Sequence, residues 1–511
     1  MSISALTAIS MARPGIEARG RVASANEIEA MVRKEFGFSR RWLASWGALN
    51  GVPLLKRLPG VHYATTPREF LKHLHSNIEA SGIKQKFAID TSIRYDPESP
   101  QLKIPYDPAV DLGVVAVTKL LKETRIDPRE IGGLFVACTT ANSGDPPVAE
   151  LIVSKLIRDG IVKKDHVERK SPDSLIGWDT MTYVKGCVGW IQLMEEIEKE
   201  MQSNSWKGEK NKPIIGLAIA ANGMHMNGAN PHEIIAYGDG SAAGLFVPRE
   251  DNSGPLVFGK LVSVLSEAHR VVHPFKEPKL KWFERIQQHF TSNYMASKKA
   301  AHIISEKIPE YLDTFLEQNG LDFDAFEHII ISQTSKGILD KTIIKLAESF
   351  IARQGLGLDS NKIRPELKRT LDEVFSLISV DTSTFKGRNL LCNYFMKLIE
   401  TNHGESFLSS LTPNEAKLYN FMDLLFKSIY RVYDRHGYTG VASIPMAIAQ
   451  GIEDGDIALD HPMLMVGSGL GINVQGIMSP QPSYKRDRTD PIINAREAEL
   501  SPKDKEASLA F

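Results

Sequence analysis

The sequence has few cysteines and no excess of charge, and both features limit what the protein can be. Its cysteines are Cys138, Cys187 and Cys392, too few and too widely separated for a disulfide framework or a zinc site. Such usage suits a reducing compartment, so we expect a cytoplasmic protein without a metal. The formal net charge of -1 gives no reason to expect a nucleic acid or an anionic membrane as a partner.

Long apolar runs are also lacking. No uninterrupted apolar stretch is long enough to span a bilayer. The first residues, MSISALTAISMARPGIEARGR, have neither a leading basic patch nor a long apolar core, so we expect no signal peptide. The 511 residues are 42% hydrophobic and 24% charged, as in soluble globular proteins, and suit two to four domains or one duplicated fold.

From Asp107 onward, short apolar strands alternate with amphipathic helices, which predicts an α/β fold with mainly parallel strands. The segments that carry this pattern are DLGVVAVTKLLKE, GLFVAC, VAELIVSKLI, PIIGLAIA, EHIII, ILDKTIIKLAESF and HPMLMVG. Three other stretches differ. Residues 65–105 are polar and predicted to be irregular, residues 355–427 are predicted to be mainly helical, and residues 479–511 form a polar tail.

Cys187 lies where a predicted strand changes into a predicted helix. The stretch from Trp178 to Met201 begins with β-branched and aromatic residues, and its apolar residues after Cys187 recur at helical spacing. A cysteine at a helix start lies near unpaired N–H groups and the positive end of the helix dipole, which favour the thiolate. Gly186 and Gly189 allow close approach to the sulfur. The alternative is a small, packed, unreactive cysteine.

A second cluster combines basic and aromatic side chains near the N-terminus. Arg40, Arg41, Trp42 and Trp46 lie close together in the sequence. Such a cluster suits a nucleotide or a phosphopantetheine arm, and it equally suits the packed edge of a domain. Trp42 and Trp46 are therefore candidate substrate-binding residues.

Several motifs in a fixed order resemble those of β-ketoacyl-ACP synthase III and its relatives in the thiolase superfamily. They are LFVACTTANSGDPPVAELI, VKGCVGWIQ, IIAYGDGSAAGLF, DRHGYTGVASIP and GSGLG. The resemblance implies a thiolase-like duplicated αβαβα five-layer core with a helical insertion in the C-terminal half. Residues 1–255 would form the half with the nucleophile and residues 256–478 the second half, commonly as a homodimer or as a heterodimer with a same-fold subunit.

The resemblance also implies chemistry for Cys187. In the family this cysteine takes an acyl group from an acyl-CoA or an acyl carrier protein, and no other cofactor is bound. Backbone N–H groups hold the oxyanion, and the matching donors here are Cys187 and the turn with Gly469 and Gly471. The family's WxxxR pattern near the CoA nucleotide is Trp42 to Trp46 here, so a carrier protein is as good a donor as CoA.

Two catalytic residues of the family are replaced. Where relatives carry a histidine, the loop IISQTSKG has Ser332, followed by Gln333 as a candidate substrate-binding residue. Where relatives carry an asparagine, the loop HGYTG has Tyr438. Both side chains donate hydrogen bonds, but neither is a base near pH 7. Ordinary decarboxylative condensation therefore lacks its usual polarising groups.

Other histidines are candidates for the missing base. His225 follows a predicted strand, and His436 lies in the HGYTG loop, where a structural role is the alternative. His403 falls in the helical insertion. His328 precedes Ser332 by four residues, which on a strand corresponds to roughly 13 Å and excludes it as the replacement.

Three functions remain open from the sequence. In the first, a Cys187 acyl-enzyme passes its acyl group to an amine, a hydroxyl or an acidic carbon in specialised metabolism. In the second, a C–C condensing enzyme uses Ser332 and Tyr438 as polarising groups. In the third, a non-catalytic or half-active subunit supports a homologous partner.

Overall fold

The structure is a computed structural model. It describes residues 3–37, 74–90, 93, 95–97, 101, 106–138, 146–167, 178–184, 187–203, 212–221, 235–249, 256–259, 262–263, 293–353, 392, 395–396, 398–400, 411–469 and 473–478.

Strands and helices alternate along these ranges. The strands are β1 (Ile3–Ala12), β2 (Arg21–Ser24), β3 (Gln85–Ala88), β4 (Gly133–Cys138), β5 (Asp179–Val184), β6 (Ile214–Ala220), β7 (Gly240–Arg249), β8 (Val257–Phe258), β9 (Val262–Ser263), β10 (His328–Ile331), β11 (Met463–Gly469) and β12 (Asn473–Met478). The α-helices are α1 (Ala25–Gly37), α2 (Leu74–Ser81), α3 (Pro108–Thr124), α4 (Val148–Arg158), α5 (Lys164–Val167), α6 (Gly189–Gln202), α7 (Asn293–Gln318), α8 (Lys336–Arg353), α9 (Pro413–Ser428), α10 (Tyr433–His436) and α11 (Ser443–Asp454). Short 3-10 turns cover Pro128–Glu130, Phe323–Ala325 and Gly440–Ala442.

Two large mixed sheets share one pairing pattern. The first has the order β1-β7-β6-β4-β5, with β4 parallel to β5 and β6, and with β6–β7 and β7–β1 antiparallel. The second has the order β10-β11-β12-β8, with β10 parallel to β11, and with the remaining pairs, including β9 on β12, antiparallel. The series β4-β6-β7-β1 thus corresponds to β10-β11-β12-β8. This correspondence is the internal duplication predicted from the sequence.

Helices cover the sheets and give five layers. Helices α3 and α4 lie on the outer face of the first sheet, and α7 lies outside the second sheet with α8 and α9 beyond it. Between the sheets, α6 contacts β4 and β6 on one side and β11 and β12 on the other, while α11 contacts β1, β7, β10 and β11. The predicted αβαβα fold class is confirmed.

The central strands are apolar because both of their faces are covered. All residues of β4 and β6 are buried. Leu134 and Val136 pack into the cluster beneath α3 and α4, whereas Phe135 and Ala137 pack into the cluster around α6 and α11. Successive side chains of a strand point to opposite faces, so one short run serves two cores.

Local signals set the ends of two helices. Asp107 precedes α3, and its carboxylate accepts the Ala109 N–H at 2.9 Å, while Pro108 occupies the first turn. Helix α9 begins with a capping box, in which the Thr412 hydroxyl accepts the Glu415 N–H and the Glu415 carboxylate accepts the Thr412 N–H. These caps satisfy N–H groups that the first helical turn leaves free.

The prediction that the polar residues 65–105 are irregular is wrong in part. Within residues 65–105 the structure has α2 and β3, and β3 pairs with β2 in a small third sheet. Leu74 and Ile78 lie one helical turn apart on α2 and pack against Ile28 and Val32 of α1. Two buried positions are enough to hold a short helix, but they are too few for a clear periodic signal.

Two helices in the C-terminal part of the chain precede the loop that carries Tyr438. The residues before HGYTG form the short helix α10. The end of the predicted insertion, α9, packs against α8 in the same apolar cluster as α7. The tail at 479–511 and most of the stretch at 354–410 lie outside the described residues. No helix in the ranges described is long and apolar enough to cross a membrane.

The layer between the sheets provides a test of the packing. Ile197 on α6 is fully buried there. Replacing Ile197→Ala should lower the free energy of unfolding by about 2–5 kcal/mol, because the cavity is enclosed by two sheets. The control is Ile16→Ala, since the Ile16 side chain is 55% exposed and should cost little. Urea unfolding followed by circular dichroism measures both, and similar losses would contradict this assignment of the core.

Candidate active site

Cys187 occupies a turn between β5 and α6, in the layer between the two sheets. Its side chain is buried, with 5% exposure, and α6 begins two residues later. Val188 caps the helix without a side-chain hydrogen bond to the first turn. The expected strand-to-helix junction is therefore confirmed. The cysteine lies at the start of a helix of fourteen residues.

Strand β11 of the second sheet comes directly against this helix start. At Gly467, an added Cβ would lie 3.1 Å from Val188 Cα and 3.2 Å from Ile191 Cδ1. A Cβ here would be in tight contact with both atoms, so glycine favours the close approach of β11 to the residue that follows Cys187. The same strand ends at Gly469, which pairs with Asn473 of β12, and Gly471 lies outside the described residues.

Tyr438 is a predicted site residue whose side chain contacts the side chain of Cys187. The phenol is buried and hydrogen-bonds to the Cys187 side chain. The Tyr438 ring also lies 5.3 Å from the ring of Tyr237, centroid to centroid. Burial, the neighbouring Cys187 and Tyr237 charges and this hydrogen bond raise the pKa of Tyr438 well above its ordinary value. Tyr438 is therefore a neutral hydrogen-bond donor at physiological pH.

The backbone around Tyr438 is fixed on both sides. Its N–H donates to Ala236 O at 2.7 Å, and its carbonyl accepts the Gly238 N–H at 3.0 Å. A Cβ on Gly238 would lie only 2.0 Å from the His436 carbonyl oxygen, so this approach requires glycine. The phenol is thus positioned by backbone contacts to the segment before β7.

Ser332 follows β10 and is buried beside β11. Its N–H donates to Val466 O at 3.0 Å, and its hydroxyl oxygen accepts the Ser468 N–H at 3.0 Å. The carbonyl of the same Ser468 lies 3.5 Å from the Tyr438 hydroxyl. One backbone residue, Ser468, therefore lies between the side chains of Ser332 and Tyr438.

Ser468 is a site residue that was not predicted from the sequence. It is the serine of GSGLG, a motif whose glycines alone gave a functional signal. Its side chain is buried, and the hydroxyl has no hydrogen-bond partner among the described residues. A buried hydroxyl without a partner is costly, so it marks a position for a polar group of a substrate or a water.

The side-chain amide of Gln333 forms hydrogen bonds with three backbone groups. Nε2 donates to Ile331 O at 2.7 Å and Tyr430 O at 3.0 Å, and Oε1 accepts the Val432 N–H at 2.8 Å. These bonds hold the segment that leads into α10 and Tyr438. In this arrangement Gln333 positions the polypeptide around the site.

His436 is buried and directed toward α11. Its Nε2 lies 3.0 Å from Gln450 Oε1, which also accepts from Arg13 Nη1 at 3.1 Å. Because Gln450 Nε2 donates to Asp454, the amide orientation is set and His436 Nε2 carries the proton. Burial lowers the pKa of His436 to about 4, so the imidazole is neutral near pH 7. The other candidates, His225, Trp42 and Trp46, lie outside the described residues.

The comparisons with known proteins agree with this architecture. Residues 417–479 match the family described as 3-Oxoacyl-[acyl-carrier-protein (ACP)] synthase III C terminal. The match begins at residue 417, inside α9, and therefore covers most of this helix. It also includes Tyr438 and Ser468. No curated protein matches the chain.

Solved structures of similar fold span almost the whole chain. The 3-oxoacyl-(acyl-carrier protein) synthase of Burkholderia xenovorans LB400 gives a TM-score of 0.55 at 11% identity, covering 94% of each chain. The β-ketoacyl-[acyl carrier protein] synthase III of Thermus thermophilus gives 0.52 at 15% identity, covering 93% of this chain and 98% of that one. The priming β-ketosynthase of the R1128 polyketide pathway gives 0.51 at 14%, covering 94% and 96%.

The chain therefore has a β-ketoacyl-ACP synthase III-like fold, and its residues 417–479 match the C-terminal family model. At these identities the likeness to solved structures is one of fold. Within this ketosynthase III-like fold, the described site consists of Cys187, Tyr438, Ser332 and Ser468, on the turn before α6 and on the loops and strand ends that face it. The groups brought together there are a thiol, a neutral phenol and two hydroxyls.

The contact between Tyr438 and Cys187 can be tested through the reactivity of the thiol. In Tyr438→Phe, the Cys187 thiolate loses a hydrogen-bond donor, and a bond to a charged group contributes about 1.5–3 kcal/mol. Alkylation of Cys187 by iodoacetamide at pH 7 should therefore slow roughly tenfold or more, as measured by peptide mass spectrometry. Tyr311→Phe removes a buried phenol that instead accepts the Gly476 N–H, and it should leave the rate unchanged. An equal rate in wild type and Tyr438→Phe would exclude the contact.

Proposed function

We propose that the protein is an acyltransferase of the ketosynthase III type, in which Cys187 forms a thioester with an acyl group from acyl-CoA or an acyl carrier protein. The observation that carries the proposal is the buried hydrogen bond between Tyr438 and Cys187 at the start of α6. A thiol that only fills space needs no phenol beside it. The family match over residues 417–479 and the ketosynthase III-like fold supply the class of chemistry.

The first step is transfer of the acyl group to the enzyme. The Cys187 thiolate attacks the carbonyl carbon of the donor thioester, and the carbonyl oxygen becomes an oxyanion. Backbone N–H groups of Cys187 and of the Gly469–Gly471 turn are the proposed oxyanion donors. When the tetrahedral intermediate collapses, the donor's C–S bond breaks and its thiolate leaves, taking a proton from solvent. Cys187 then carries the acyl group as a thioester.

The second step passes the acyl group to an acceptor. An amine, a hydroxyl or an already acidic carbon attacks the carbonyl carbon of the Cys187 thioester, the C–S bond breaks, and the proton of the acceptor goes to the departing Cys187 sulfur or to solvent. Tyr438 remains protonated at neutral pH, so it polarises the thioester or stabilises the departing thiolate as a donor and does not remove a proton. An acceptor that is itself nucleophilic suits such a site, because it needs no strong base.

A decarboxylative C–C condensing enzyme is the second candidate. Here a malonyl-type thioester loses carbon dioxide, and the enolate oxygen needs hydrogen-bond donors. The Ser468 contacts favour this candidate, because they bring the hydroxyls of Tyr438 and Ser332 to one backbone residue. Two neutral hydroxyl donors would then replace the imidazole and amide of the family. A homodimer, or a heterodimer with a same-fold subunit, is part of the proposal in both cases.

Formation of the acyl-enzyme is the direct test. The purified protein is incubated with a panel of acyl-CoA and acyl-carrier thioesters, and peptides are analysed by mass spectrometry. We expect the mass of one acyl group on the Cys187 peptide, and none in Cys187→Ala. Cys392→Ala, which alters another buried cysteine, should still be acylated. No adduct with any donor would favour a non-catalytic subunit, and an adduct that persists in Cys187→Ala would overturn the proposal.

Substitution of Ser332 and Tyr438 tests which of the two candidate reactions the enzyme catalyses. The double variant Ser332→His, Tyr438→Asn restores the groups that stabilise the enolate in relatives. Since one such donor is worth roughly a hundred- to thousandfold in rate, we expect at least tenfold faster release of carbon dioxide from a malonyl thioester. Release is measured with carboxyl-labelled substrate. If the wild type already releases carbon dioxide at the rate of the double variant, the second candidate replaces the first.

A further inference from the structure

Three side chains with metal-ligating atoms meet at the edge of the second sheet that is remote from Cys187. Glu327 and His328 stand at the beginning of β10, and His461 lies in the turn before β11. Ser332 leaves the other end of β10, four residues beyond His328, which on a strand is roughly 13 Å. The cluster is therefore separate from the proposed acyl-transfer site, and a ligand bound to it would be independent of the acyl-transfer chemistry.

The backbone holds these residues together. Strands β10 and β11 are parallel, with His328 opposite Met463, and the Glu327 N–H donates to Pro462 O at 3.2 Å. One ligand atom from each of the three side chains lies within 4.8 Å of the other two. Glu327 Oε2 is 2.8 Å from His461 Nδ1, and the two imidazole rings stack at 6.3 Å between centroids.

A second observation concerns His328. Its Nε2 is buried and has no hydrogen-bond partner among the described residues. A buried imidazole nitrogen without a partner is costly, and here it lies in a cluster with a carboxylate and a second histidine, the side chains that ligate zinc.

We infer that Glu327, His328 and His461 form a binding site for one divalent transition-metal ion of the Zn²⁺ type. Zinc takes imidazole nitrogens and carboxylate oxygens at about 2.0–2.2 Å, which requires ligand atoms roughly 3.5 Å apart. Side-chain movements of about 1 Å from the 4.8 Å limit achieve this, and water completes the coordination. The sequence-based expectation of no metal rested on the scarcity of cysteine, whereas this site contains none.

The position of the site indicates a structural effect. A bound ion would join the start of β10 to the turn before β11, and so fix the register of the two strands whose other ends carry Ser332 and Ser468. An ion that binds the folded chain alone raises the unfolding temperature by an amount that grows with its affinity and concentration. We therefore expect stabilisation by metal without a direct part in catalysis.

Direct titration tests the site. The full chain is treated with EDTA, freed of chelator and titrated with Co²⁺ by absorption spectroscopy, with Zn²⁺ added in competition. We expect one equivalent to bind with a Kd in the micromolar range or below, and Zn²⁺ to raise the unfolding temperature. His328→Gln and His461→Gln should each weaken binding at least tenfold and remove the thermal shift. Glu327→Gln changes a side chain that is half exposed, and it should weaken binding without affecting packing.

The controls separate this site from chance binding. His75 is exposed and lies 3.2 Å from both Glu29 and Glu79, so His75→Gln removes a surface histidine with acidic neighbours and should change nothing. The titration is repeated in Cys187→Ala to exclude binding by the thiol. Far-ultraviolet circular dichroism of the metal-free variants establishes that they are folded. Absence of saturable one-to-one binding, retention of it in both histidine variants, or its loss in His75→Gln would overturn the inference.

Discussion

The packing of α6 and α11 between two sheets is the constraint on which the remaining structure depends. Each helix is in contact with strands of both halves, so each must be apolar around most of its circumference. On α6 the buried positions run from Gly189 and Leu193 through Trp190 to Ile191, an arc of about 200° around the helix axis. Because the layer is closed on both faces, the start of α6 is a dry position, and a thiol there is removed from bulk water.

The same packing determines which groups lie next to the Cys187 thiol. The second sheet approaches through β11, which has glycine at position 467 where it passes Val188. The next residue, Ser468, offers its carbonyl to Tyr438 and its N–H to Ser332. The site therefore combines Cys187, at the start of α6, with Tyr438, Ser332 and Ser468 from the C-terminal part of the chain.

Much of this arrangement follows from local sequence, and some of it does not. The strand-to-helix change at Cys187, the apolar runs of β4 and β6 and the duplicated order of elements are all visible as changes of hydrophobic period. The helix α2 is not, because two buried residues, Leu74 and Ile78, support it. The role of Ser468 could not be predicted from the sequence either. It depends on the backbone groups of Ser468, whose partners are 136 and 30 residues away in the chain. The occupied amide of Gln333 likewise depends on a distant segment, from Tyr430 to Val432.

The double role of Ser468 has a consequence for how this site evolves. Residues that share a hydrogen-bonded partner show non-additive effects when they are changed, commonly by about 0.5–3 kcal/mol. A substitution at Ser332 removes the acceptor of the Ser468 N–H, and a change in the Ser468 backbone also affects its carbonyl, which lies 3.5 Å from the Tyr438 hydroxyl. The two positions therefore form one epistatic unit. The effect of a substitution at Ser332 therefore depends on the residue at position 438, and the reverse also holds.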